Sequence, residues 1–588
     1  MIGSWLKWCG GRPAPGPLAA LLLALTAAAC AEPVEWTGQA GNDWFQPGNW
    51  SPARVPRAGD SVVAAAAGTI ALTNATPRLA SLDLQAGTVV VSGWNSALRA
   101  DTVVIAGTIT HADNLTDAPD AAGAWVPQHR VLLEGSNITI AAGGIVDADF
   151  KGYRRGKGPG VAAGWASGAG HGGEGGFGNG RPGGPATGHI HAPWQPGSGG
   201  GTNASYRTQS GEGGGAVRIV AEGHLTVNGT ISAKGRGYYG THGSGGSGGS
   251  IWITCRTLAG GASGLLQVNG GGGRYYGGGG SGGRLAVQFD PAAQGALADP
   301  VPDIRFEGTP GAITSENRET FPAGMGTLSL SDTLLLGNRL TNRRLVDVQL
   351  AVPGWTVWEP GSLMIDDCSI GLQEGVDLAV TGDLVVTNGG RLHLFAAPVA
   401  DRLATPGARV DVAGDLRIDA GSWVLPTAHP TNGATVALSV GGNLRIAAGG
   451  GIDADRRGYT RGHGPGTPRA SRTDGGNGAG HGGHGGMGFG GVRWGDAYGD
   501  AAWPIDAGSG GIVLPPGNWN AGRGGGSIRL TVAGEAELQG TLTARGGHAW
   551  SPTHGGGGSG GSILLVCRTL RGSNSGVLSV DGGQGTGG

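Results

Sequence analysis

Residues 376–394 read VDLAVTGDLVVTNGGRLHL, residues 409–425 read RVDVAGDLRIDAGSWVL, and residues 435–454 read TVALSVGGNLRIAAGGGIDA. Each is a short alternating stretch, a turn containing Gly, Asp or Asn, and another alternating stretch, often followed by a third. In the first, Val376, Leu378 and Val380, then Leu384 and Val386, then Leu392 and Leu394 keep a period of two. Alternation gathers these side chains on one sheet face while Asp, Thr and Arg point outward. Leu384, Leu416 and Leu444 hold the same place in the motif, 32 and 28 residues apart. A coil of three short strands with tight turns occupies about that length. Stacked coils bury their inward apolar residues and pair their backbones along the axis. No segment sustains apolar spacing at three and four residues, so helix should be scarce. The expected fold is all-β: a right-handed parallel β-helix, or β-solenoid, with long glycine-rich insertions and very little helix.

Working outward, the same material occurs twice on a larger scale. NITIAAGGIVDADF at 137–150 returns as NLRIAAGGGIDADR at 443–456, GAGHGGEGGFG at 168–178 as GAGHGGHGGMG at 478–488, and GSGGSIWITCRTL at 246–258 as GSGGSILLVCRTL at 558–570. The offset drifts only from 306 to 312, so one large unit is duplicated. The expected division is an N-terminal Trp-rich cap (32–75), a first solenoid unit (76–300), a connecting β segment (301–375) and a second unit (376–588). The second unit stops at GGQGTGG where the first runs on into GGGGSGGRLAVQFD, which reads as a chain ending inside a coil.

The 588 residues include 127 glycines and 32 prolines, enough to suggest disorder if they were spread evenly. They are confined between coils, chiefly in tracts 156–216 and 458–526. Ordering a glycine costs about 0.5–1 kcal/mol more than ordering an alanine in a regular element. Two readings stay open: mobile loops hung on a rigid solenoid, or extended glycine strands packed against it.

With 40 basic and 42 acidic residues the chain has no global electrostatic pull, and nucleic acid, which usually calls for a basic face, is not expected as a partner. Lys7 and Arg12 precede an apolar run from Leu18 to Ala29, followed by Ala29-Cys30-Ala31, which describes a cleavable export signal over residues 1–31. The run is short for a membrane span, and no transmembrane segment is expected in the mature chain. Cys30 as a lipoprotein anchor is the lesser alternative, since the residue three before it is Ala rather than Leu. After cleavage Cys255, Cys368 and Cys567 remain; Cys255 and Cys567 are repeat mates and read as buried small hydrophobes rather than a bonded pair.

Trp36, Trp44 and Trp50, followed by Val55-Pro56 and Gly59-Asp60, and the coil motif G-D-L-x-I-x-x-G resemble the exported, glycine-rich parallel β-helix repeat proteins of bacteria, adhesin-like and autotransporter-passenger-like. The resemblance implies surface display and a structural or adhesive role toward extracellular polysaccharide, matrix or other cells. It implies no cofactor and no catalytic residue.

Asp147 and Asp149, with repeat mates Asp453 and Asp455, are the candidates for catalysis. Residues i and i+2 of a strand share a face, so two carboxylates could act as an acid/base pair on a polysaccharide or hold calcium. The competing reading makes them turn residues bonding local backbone. Tyr153, Arg154, Arg155, Tyr459 and Arg461 follow them and could clamp a sugar. His171, His481 and His484 are the candidates for metal binding, weakened because Glu174 replaces the second histidine in the first copy. The many Gly-x-Gly-x-x-Gly matches lack the helix that a nucleotide phosphate needs, and no serine-hydrolase elbow is placed between strand and helix.

Overall fold

In the computed structural model, Leu384 pairs with Leu416, Leu416 with Leu444, and Leu444 with Ala536, all in parallel register. Two further ladders rise beside that one. Leu378, Val410, Leu438 and Leu530 form the first, and Leu392, Val424, Ile452 and Leu542 the second. The chain thus returns to the same three positions once per coil, as the leucine spacing predicts. The structure describes residues 33–178, 181–202, 209–238, 242–313, 322–468, 476–488, 494–512, 521–549 and 555–586. The expected export signal and Cys30 lie outside the described residues, as do parts of both long glycine tracts.

The described fold is almost entirely β, built of long parallel sheets and consistent with a β-solenoid. One eight-stranded ladder runs unbroken from Thr69–Leu72 through Thr88–Val91, Thr108–His111, Ile145–Asp147, Thr230–Ser232, Leu265–Gln267 and Arg305–Glu307 to Leu345–Val346. Helix among the described residues is one α turn, Pro291–Gly295, capped by the Asp290 carboxylate, and two 3-10 turns. No helix among them is long and apolar enough to cross a membrane. One large apolar column from Val34 to Ala544 forms the main core, with a small second cluster of Ala428, Tyr459 and Ala507. Cys255 is part of the column, its thiol pushed up to about 12 by burial, whereas its repeat mate Cys567 is half-buried against the same column. At the N-terminal end Trp36, Trp44 and Trp50 meet edge to face, with ring centroids 5.0 and 4.8 Å apart. Trp50–Ser51 runs antiparallel to Val34–Trp36, so a reversed strand closes part of the first sheet edge.

The described parts of the glycine tracts are ordered and packed, which decides between the two readings. Along 245–249, Gly245 and Gly248 donate their N–H groups to Gly278 and Ser281, while Gly246 and Gly249 donate to Arg236 and Ala233. Ser247 between them donates to Ser198. Donors three apart therefore reach the same neighbour, and successive donors point to different ones. A β-ladder alternates between two sides; a three-residue period belongs to an extended three-fold strand surrounded by others. The second unit repeats this, with Gly522 and Gly525 donating to Gly556 and Ser559 and Gly524 to Tyr459.

The sequence Gly-Ser-Gly-Gly marks the centre of five of these strands, at 197–200, 246–249, 280–283, 508–511 and 558–561. Their serines are buried, and each hydroxyl accepts a backbone N–H from an adjoining strand: Ser198 from Gly160, Ser247 from Ser198, Ser281 from His171, Ser509 from Gly466 and Ser559 from Ser509. A buried hydrogen bond contributes about 0.5–1.5 kcal/mol net, enough to offset the extra entropy of ordering a glycine.

The strands approach so closely that a Cβ on Gly248 would lie 1.9 Å from the carbonyl oxygen of Val268, while one on Gly483 would meet nothing within 4 Å. Gly248→Ala is therefore expected to lower stability by more than about 3 kcal/mol and Gly483→Ala by less than about 0.5 kcal/mol. Urea unfolding of the two variants beside wild type checks this; equal tolerance would contradict the packing.

Candidate functional site

Both Asp-Ala-Asp segments fold the same way. The strand Ile145–Asp147 ends at the first aspartate, whose Oδ1 accepts the N–H of Asp149 at 2.8 Å and so turns the chain. Asp149 lies beyond the strand. Its carboxylate accepts the Ser232 hydroxyl and the Lys234 N–H (2.7 Å) of the next coil, and pairs with the Lys234 ammonium at 3.1 Å. Asp453 likewise accepts from Asp455 N–H at 2.7 Å. Asp455 accepts the Thr543 hydroxyl (2.5 Å) and Arg545 N–H (2.6 Å), and pairs with the Arg545 guanidinium at 2.7 Å. Burial raises the Asp147 and Asp453 carboxyls above their ordinary range. The two carboxylates of each segment thus do different structural jobs: one closes a turn and the other ties that turn to the neighbouring coil.

The flanking residues are also engaged. Tyr153 and Tyr459 are buried, their hydroxyls donating to Trp125 O (3.0 Å) and Asn432 O (3.1 Å). Arg155 pairs with Glu212 at 2.6 Å, and Arg461 lies over the Phe177 ring at 4.4 Å, joining the glycine tracts of the two units. Arg154 is exposed.

The three histidines do not converge. His171 is fully buried, with Nε2 2.8 Å from the Ser250 hydroxyl and Nδ1 3.1 Å from the Thr187 hydroxyl. His481 contacts Gly560 O at 2.9 Å through Nδ1 and packs on Tyr498 at 4.5 Å, while His484 is exposed beside Trp494. Among the described residues no cluster of three or more His, Cys, Asp or Glu side chains is disposed to hold a metal.

A group of side chains not singled out in the sequence lies on the outer face of the sheet formed by Val131–Ile140, Ala216–Val227, Ser250–Ala259 and Arg284–Gln288. Register places Leu132, Arg218, Trp252 and Ala286 side by side across these strands. The Arg218 guanidinium lies 3.9 Å over the Trp252 ring and donates to Thr254 Oγ1 at 2.8 Å. Trp252 Nε1 donates to Gln288 Oε1 at 3.1 Å. Just before the strand Val131–Ile140, Arg130 sits 4.6 Å over Trp94, its Nε donating to Trp94 O at 2.8 Å, and Trp194 meets Trp94 edge to face at 6.1 Å. Burial lowers both arginines, Arg218 to about 10; the Arg130 charge lowers Arg218 further, and Glu134, itself paired with Arg99 at 2.6 Å, partly offsets the shift of each. The residues scatter over some 190 positions of sequence, so only coil register gathers them.

Comparison of the chain with protein-family models, curated proteins and solved structures returns no match.

The buried histidine carries a pH signature. Desolvation lowers His171 from 6.5 to about 3, so the folded state keeps it neutral while the unfolded chain takes up a proton as pH falls below 6.5. Its contribution is complete above pH 6.5 and is lost between there and pH 3, by about 1.4 kcal/mol per pH unit. Urea unfolding at pH 7.5, 6 and 5 is expected to show falling stability, with a shallower slope in His171→Gln. Parallel slopes in the two proteins would refute the assignment.

Proposed function

We propose that this chain is an exported, right-handed parallel β-helix that serves as a structural or adhesive element at the cell surface or outside the cell. Its partners on this reading are polysaccharide, matrix or other cells, and its role is non-enzymatic. The right hand follows from the twist preference of parallel crossover connections. The observation that carries the functional reading is the commitment of Asp147, Asp149, Asp453 and Asp455 to turns and coil-to-coil bonds. A catalytic pair needs carboxylates directed at a reacting atom, and these are directed at the protein's own backbone and hydroxyls. A long stack braced laterally by packed glycine strands suits display and load-bearing.

The test is glycan-array binding by the purified protein alongside a polysaccharide-degradation screen. Saturable binding without turnover is expected, and the Asp147→Ala/Asp453→Ala variant should bind as wild type does. Depolymerisation by wild type that disappears in that variant would replace this reading with a carbohydrate-cleaving one.

A further inference from the structure

The duplication provides an internal control for the outer-face cluster. Arg218 and Arg529 are repeat mates, yet opposite them the first unit has Trp252 and Thr254 where the second has Leu564 and Val566. The same ladder forms in both units, so coil geometry does not demand the indole, the hydroxyl or the arginine–aromatic stack. Nor does charge balance: Arg130 and Arg218 share the face with one nearby acid, Glu134, already paired with Arg99.

Arg130 is the most informative member. Its Nε is fixed by Trp94 O and its plane by the Trp94 ring, while neither terminal nitrogen has a hydrogen-bond partner among the described residues. A planar fork held in place with its outer donors unused is suited to a carboxylate or sulfate. Trp194, 36% exposed, stands beside it. The segment bearing Trp194 is itself anchored to the sheet: Gln195 O accepts the Ser250 hydroxyl at 2.6 Å, His191 O accepts Gln288 Nε2 at 3.1 Å, and Thr187 O accepts Arg284 Nε at 2.6 Å. The indole is therefore presented on a fixed support, and an indole offers a broad apolar face to the C–H side of a pyranose ring. Leu132 and Ala286 at the two ends of the row are buried, so the exposed part of the cluster centres on Arg130 and Trp194, with Arg218 and Trp252 half-buried beside them.

We propose that the face carrying Trp94, Arg130, Trp194, Arg218, Trp252 and Gln288 binds an anionic polysaccharide. This rests on the adhesive reading and names its contact surface. Arg130 takes the acidic group, Trp194 stacks on the adjoining ring, and Arg218 supplies the second positive charge. The second unit, lacking the aromatic half, does not bind this way.

The experiment is affinity electrophoresis of the full chain through gels containing polygalacturonate, dextran sulfate or neutral dextran, the first two separating carboxylate from sulfate recognition. Wild type should be retarded by one or both anionic polymers and not by dextran. Arg130→Gln and Trp194→Ala should each weaken that retardation at least about tenfold, with Arg130→Lys retaining part of it and thermal unfolding unchanged. Arg409→Gln, an equal change in charge on the second unit, should behave as wild type. Equal retardation by dextran, or Arg130→Gln and Trp194→Ala binding as wild type does, would overturn the site while leaving the adhesive reading in place. Wild type that binds no glycan here or on arrays would overturn both.

Discussion

Over much of the glycine tracts the separation between neighbouring strands allows a hydrogen atom at Cα and nothing larger. At Gly168, Gly178, Gly245 and Gly561 a methyl group would come within 1.8 Å of a backbone oxygen on another segment. Such closeness lets successive N–H groups find acceptors on different neighbours, so the interior of the tract is hydrogen-bonded although it contains almost no side chains. The β-coils depend on it in turn. Gly215 donates to Ala148 O and Gly249 to Ala233 O, at the points where the tracts run into the long strands Ala216–Val227 and Ser250–Ala259. The tract delivers each strand to its register.

Two kinds of packing thus share one chain. In the coils, apolar side chains at alternate positions fill a central column and hydrophobic burial dominates, at about 25 cal/mol per Å² of apolar surface. In the tracts there is little apolar surface to bury, and hydrogen bonds with close backbone contact take its place. The join between them explains the Asp-Ala-Asp turns. Each stands where a coil strand gives way to a glycine tract, and its second aspartate anchors the departing chain to the coil above.

The coils were legible because period-two alternation has a single structural meaning once a face is buried: Leu384, Leu416 and Leu444 could be aligned by eye and are aligned in register. The order of the tracts was not legible from glycine content, because a mobile linker and a close-packed strand both select glycine. The signal that could have separated them is Gly-Ser-Gly-Gly, which occurs six times with its serine inward; a flexible linker has no reason to fix the place of a serine. The aspartates were found in the sequence, but their bonding partners Ser232, Lys234, Thr543 and Arg545 lie 83–90 residues away and belong to another coil. The outer-face cluster was missed for the same reason, since Trp94, Arg130, Trp194, Arg218 and Trp252 meet only through stacking.

Amide hydrogen exchange read by mass spectrometry tests the central claim most directly, because it reports whether the glycine N–H groups are bonded in solution. Peptides covering 243–250, 277–284, 521–527 and 556–562 are expected to be protected to the same degree as the coil strands at 408–418 and 436–446. Exchange of those glycine peptides at the rate of an unstructured chain, beside protected coils, would contradict the account.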